Sequence, residues 1–258
     1  MIKLLMTSAI LLMLTSIPAA AQRVNDCGKG LVNKSFTPSA APLLNRFDFD
    51  FDGTDHHIQQ ILIFPNFTPA TIRIGYHDKN SDDRYCYDLN FVNINDSRIQ
   101  RFRRNLDICS EGGKCTVRLN RPPGDFVFVL IGFQLSFRGT DHHVDEVSVL
   151  EDNGQLTVAF NDKNNDDIFI WSAQFAYVPR DRFRNVGESS GVRAKGEAVQ
   201  TIPSGTSLIR GFRFKFRKDD HHIKRIGVRS SSGQARMLFS DKNRDDEFDW
   251  QYRWAILR

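Results

Sequence analysis

One phrase is written three times in this chain, and that limits what it can fold into. "RFDFDFDGTDHHIQQILI" is matched by "GFQLSFRGTDHHVDEVSV" and "GFRFKFRKDDHHIKRIGV". Downstream of each comes a second phrase: "IGYHDKNSDDRYCYDLNF", "VAFNDKNNDDIFIWSAQF" and "MLFSDKNRDDEFDWQYRW". The interval from the Asp of DHH to the Asp of DKN is 23, 21 and 21 residues. Agreement at this level marks internal duplication, with each repeat one structural unit. The repeat is about 80 residues long, and its breaks fall near Asp96 and Arg180. Three units are therefore expected: 22–96, 97–179 and 180–258.

Each unit reads as β structure. Phe47, Phe49 and Phe51 alternate with Asp48, Asp50 and Asp52. Phe133, Leu135 and Phe137 alternate with Gln134, Ser136 and Arg138, and Phe212, Phe214 and Phe216 with Arg213, Lys215 and Arg217. A period of two marks a half-buried strand. The strand after DKN alternates as well, through Phe169, Trp171, Ala173 and Phe175, or Phe248, Trp250, Tyr252 and Trp254. Helical periodicity is weak after residue 21. The expectation is an all-β protein of three tandem antiparallel β-sandwich-like repeats, arranged with pseudo-threefold symmetry. Within a unit the strands are expected to run as a meander, which puts the DHH turn and the DKNxDD loop at one end of the sheet. The polar faces of the Phe strands are either solvated or brought together, acidic against basic, between units. "GESSG" at 187–191 reads as a loop by composition.

The first 21 residues are a different kind of sequence. Lys3, an apolar run to Ile17 and then Ala19-Ala20-Ala21 give the pattern of a secretory signal peptide cut before Gln22. The apolar run is short for a membrane span, which needs about 20 residues. A secreted or periplasmic protein is expected. The formal charge of +4 falls to +3 without Lys3, too mild to suggest a nucleic-acid partner. In an oxidising compartment four cysteines favour two disulfides. "CSEGGKC" suggests Cys109–Cys115, leaving Cys27–Cys86 to tie the N-terminal arm to the first repeat; free thiols are the alternative.

The polar motifs carry the candidate chemistry. DKNxDD places oxygen ligands at positions 1, 3, 5 and 6, the spacing by which short loops wrap Ca2+. The candidate ligands are Asp78, Asn80, Asp82 and Asp83; Asp162, Asn164, Asp166 and Asp167; and Asp241, Asn243, Asp245 and Asp246. The Gly at position 6 and the Glu at position 12 of EF-hand loops are absent, so a hairpin held by Asx turns stands beside calcium as a reading. The DHH motifs give candidate ligand-binding residues Asp55, His56, His57, Asp141, His142, His143, Asp220, His221 and His222. Adjacent side chains on a strand point to opposite faces, so the two His of one copy are not expected to share a metal. Structural Asp–His bonding is the first reading. A transition-metal site assembled from three copies on an axis is the second, and catalysis a distant third.

The order of strands and breaks resembles the H-type lectin domain. The resemblance lies in "CTVRLNRPPGDFVFVLIGFQL" through "FIWSAQFAYV", and in the closing "WQYRWAIL". It implies six-stranded antiparallel sandwiches that form trimers and bind sugars; three fused copies would be similar to a trimer within one chain. DHH and DKNxDD are not part of that family's pattern, so no sugar-binding residue is carried over. The expected function is a secreted binding protein, carbohydrate-binding or adhesive, with calcium in the DKNxDD loops and a glycan or cell-surface protein as partner. The alternative is a structural or protein-interaction role in which both motifs lock hairpins. No nucleophile motif such as GxSxG appears, so an enzyme is not expected.

Overall fold

The computed structural model describes residues 20–37, 41–52, 57–78, 83–109, 113–138, 143–162, 168–217, 222–231, 233–241 and 246–258. These form an all-β protein of two antiparallel sheets, with one short 3-10 turn at Arg180–Arg182. The first segment supplies β1 (Ala20–Lys29), β2 (Leu31–Ser35), β3 (Pro42–Phe51), β4 (Ile58–Phe67), β5 (Ala70–Asp78) and β6 (Arg84–Asn93). The second supplies β7 (Gln100–Cys109), β8 (Lys114–Arg118), β9 (Phe126–Phe137), β10 (Val144–Asp152), β11 (Gln155–Asp162) and β12 (Phe169–Pro179). The third supplies β13 (Phe183–Thr201), β14 (Ser207–Phe216), β15 (Ile223–Ser231), β16 (Gln234–Asp241) and β17 (Glu247–Leu257). Among the described residues no helix is long and apolar enough to cross a membrane. Residues 1–19 lie outside them, and Ala20 and Ala21 begin β1.

The Phe stripes are β3, β9 and β14. Each pairs on one side with the last strand of its own segment: β3 with β6, β9 with β12, β14 with β17. On the other side each takes the strand after DHH from a different segment: β3 pairs with β15, β9 with β4, and β14 with β10. The expected meander fails at its first step, because β3 does not pair with β4. They lie in different sheets, β3 in the 11-stranded one and β4 in the 6-stranded one.

Charge gives a physical reason for the exchange. Arg225 on β15 donates from Nε and Nη2 to the two oxygens of Asp48 at 3.0 and 2.9 Å, and Arg229 donates to the same carboxylate. Lys224 lies 3.5 Å from Asp50. At the β14–β10 seam the signs are reversed: Arg213 donates to both oxygens of Glu146 at 2.8 and 3.1 Å. The β9–β4 seam is neutral, with Ser136 opposite Gln60 and Gln134 opposite Leu62. Pairing β3 with β10 would set Asp50 among Asp145 and Glu146, and like charges directly opposite destabilise a sheet. Acidic and basic faces do meet between segments. The partners of Arg213 and Lys215 are on β10, however, while Arg217 turns to Asp249 in its own segment at 2.7 Å.

The stripes meet in the core. Phe47, Phe133 and Phe212 occupy equivalent places in the three phrases, and all are fully buried. Their ring centroids are 5.5 Å (Phe47–Phe133), 4.9 Å (Phe47–Phe212) and 5.2 Å (Phe133–Phe212) apart. Aromatic pairs at such distances add about 0.5–1.5 kcal/mol each beyond area burial.

"GESSG" is not a loop. It lies inside β13, with Gly187 opposite Trp254 and Gly191 opposite Trp250. A Cβ at Gly187 would come within 2.4 Å of the Trp254 ring, and one at Gly191 within 2.6 Å of Trp250. The glycines let the strand lie flat on two indoles, a packing reason that composition does not reveal.

Both disulfides form as expected. Cys27–Cys86 crosses the β1–β6 pair, and Cys109–Cys115 closes the connection from β7 to β8. The segment junctions are tied by ions as well. Asp96 accepts from Arg98 (2.8 Å) and Arg182 (2.6 Å), and Arg98 also reaches Asp181 at 2.8 Å. Hydrogen bonds from Arg98, helped by Arg182, hold the Asp96 carboxyl well below the usual range. A folded-state pKa below the unfolded one stabilises above the unfolded value and loses that contribution as pH falls past it. Asp96→Asn should therefore cost about 1 kcal/mol at pH 7, discounted because the arginines are half exposed. The gap to wild type should begin to narrow below about pH 4 and close only as pH falls through the lowered folded value. Urea denaturation across pH checks this; a gap that stays constant down to pH 2 would contradict it.

Candidate functional site

The DHH copies converge. The described member of each pair, His57, His143 or His222, sits immediately before β4, β10 or β15. The ring centroids are 4.5 Å (His57–His143), 4.2 Å (His57–His222) and 4.7 Å (His143–His222) apart. One nitrogen from each lies within 4.8 Å of the other two, and all three side chains are half-buried. Each of the three strands carries a bulge at the same place, the extra residue being Gln59, Asp145 or Lys224. Bulges re-aim side chains near functional sites. Here they lie two residues past each histidine. The other members, Asp55, His56, Asp141, His142, Asp220 and His221, lie outside the described residues.

The DKNxDD motifs lie at the same end. Ile58 is opposite Asp78, Val144 opposite Asp162, and Ile223 opposite Asp241. These three aspartates end β5, β11 and β16, and each is buried. The two motifs adjoin because the strand after DHH forms a hairpin with the strand before DKN, whatever β3 does. Asp83 and Asp246 are half-buried. Asn80, Asp82, Asn164, Asp166, Asp167, Asn243 and Asp245 lie outside the described residues.

A groove of about 410 Å³ lies away from these motifs, between the tail of β4 and β7. Arg101 stands over the Phe67 ring at 4.7 Å and Arg103 over Phe64 at 4.5 Å. Phe67 is 36% exposed, so its ring is part of the surface. Gln174, 5% exposed, lies in the floor and donates to the Pro65 carbonyl at 3.0 Å. None of the nine described lining residues is acidic. Arg101 and Arg103 have no carboxylate partner among the described residues. Cation–π contact holds both guanidiniums in place without consuming their charge.

The neighbouring segment treats the equivalent place differently. There Arg210 and Arg253 stand where Ile131 and Gln174 do, in a pocket of about 370 Å³ that also holds Glu151 and Glu188. Burial pushes the Arg210 guanidinium below its ordinary pKa, with Glu151 opposing. That pocket neutralises itself. In the first segment Asn90 donates to Asn45 at 2.7 Å across the matching place.

The groove was not found by motif. Its signal was the period-two Arg101 and Arg103 within "RFRRN", which carries no acid among its residues.

The fold defines an all-β, disulfide-bonded chain in which three histidines cluster and, apart from them, a groove opens beside β7. A scan against models of known protein families and a search of curated proteins both give no match.

Proposed function

We propose that this is a secreted or periplasmic carbohydrate-binding protein in which three fused repeats of H-type-lectin-like pattern form a pseudo-trimer within one chain. The cyclic exchange of β4, β10 and β15 supports the pseudo-threefold reading, as does the meeting of Phe47, Phe133 and Phe212. The observation that carries the binding reading is the Arg101–Phe67 groove. A partly exposed aromatic ring beside polar amides suits the apolar edge of a sugar, and two guanidiniums with no carboxylate partner among the described residues select a carboxylated one. Calcium in the DKNxDD loops is a separate proposal, with a calcium-dependent melting shift as its signature.

Calorimetric titration with an oligogalacturonate, against a neutral galactan oligosaccharide of equal length, tests the groove. The acidic oligosaccharide should bind and the neutral one should bind at least tenfold more weakly. Loss of a charged hydrogen bond is worth about 1.5–3 kcal/mol, so Arg101→Gln should weaken binding roughly 10–100-fold. Equal affinity for both sugars, or an unchanged Arg101→Gln variant, would remove the reading.

A further inference from the structure

We propose that His57, His143 and His222 bind one transition-metal ion, shared by the three segments of the chain. The observation is convergence. The residues are 86 and 79 positions apart (143 − 57 and 222 − 143), yet one nitrogen from each lies within 4.8 Å of the others. Each histidine is placed by the same device, the start of a strand just ahead of a bulge. Each such strand is paired with the Phe stripe of another segment, so the cyclic pairing brings the three strand starts to one point.

The donor set decides the class of ion. Imidazole nitrogens suit Zn2+, Cu2+, Ni2+ and Co2+, whereas Ca2+ and Mg2+ take oxygens. All four cysteines are in disulfides, so no thiolate competes for the role. A tetrahedral ion with 2.0–2.1 Å bonds to nitrogen needs its ligands about 3.3 Å apart. Half-buried rings already within 4.8 Å reach that by small side-chain rotations. Three protein ligands leave at least one position open, and the partial exposure of all three rings gives an ion a way in. Asp78, Asp162 and Asp241, all buried, end the strands paired beside the three histidines.

Binding at this point does more than fill a site. The ion would join the starts of β4, β10 and β15, which come from all three segments, and so close the ring at its polar end. A ligand that binds only the folded chain stabilises it, by about 2.7 kcal/mol at a free concentration one hundred times Kd. This inference does not rest on the glycan reading, since the groove and the histidines share no residue.

The test uses tag-free protein stripped with a chelator and dialysed against Zn2+ alone. Wild type should retain one ion per chain and melt higher, with excess Ca2+ failing to displace it. His57→Gln, His143→Gln and His222→Gln should each lower affinity at least tenfold and cancel the melting shift, while melting near apo wild type without metal. Should a variant not fold, Co2+ bound to wild type decides: visible bands of a nitrogen-ligated site are expected. Failure to retain Zn2+, retention unchanged in all three variants, or displacement by Ca2+ would overturn the proposal. Glycan affinity measured on the same samples keeps the two readings apart, because loss of the ion should leave it unchanged.

Discussion

Phe133→Ala is expected to lower stability by about 3–5 kcal/mol, the cost of deleting a buried phenyl ring from a packed core. Phe133 is fully buried and touches Phe47 edge-on and Phe212 at a tilt. No backbone bonds join β3, β9 and β14 to one another directly, so these rings are where the three stripes meet. Loss of one should loosen all three segments together. Urea unfolding followed by tryptophan fluorescence and far-ultraviolet circular dichroism should give a single transition at a lower midpoint. A cost under about 1 kcal/mol would contradict the packing. Two separated transitions would contradict the exchange of strands, because independent sandwiches would unfold singly.

The second large effect lies at the β3–β15 seam. Asp48 is 4% exposed and accepts from both Arg225 and Arg229. Removing one partner of a buried pair leaves charge without compensation, at about 3–5 kcal/mol. The two guanidiniums keep some water, so Asp48→Ala should fall at the lower end of that range. Replacing the cluster as a whole should behave differently. Asp48→Leu combined with Arg225→Met and Arg229→Leu should recover most of the loss, since well-packed apolar groups can replace a buried ion pair at little cost. Denaturant midpoints of the two variants check this. A triple variant no better than Asp48→Ala would contradict the expectation that apolar packing can replace this cluster.

The contrast between the three seams explains what the sequence makes legible. Period-two Phe at 47–51, 133–137 and 212–216 announces strands, because alternation reports one buried face directly. The near-constant spacing from DHH to DKN likewise foretells the hairpin that sets Ile58 against Asp78. Which segment lends its strand to which stripe is another matter. It depends on charges over a hundred residues apart, such as Asp48 and Arg225, and alternation carries no trace of partner choice. For the same reason the histidines can be nominated from the sequence, but their meeting requires the cyclic order. "GESSG" misleads because flexibility and close packing on Trp250 and Trp254 call for the same small residues. The groove escapes because Arg101 and Arg103 come from β7 and the rings beneath them from β4.

The most direct test of the three-segment closure is diffraction from crystals grown with Zn2+ and Ca2+, with data collected across the zinc absorption edge. A single zinc peak is predicted, bounded by the imidazoles of His57, His143 and His222. A zinc-edge map with no peak at that point, or with zinc only at the DKNxDD loops, would contradict the account.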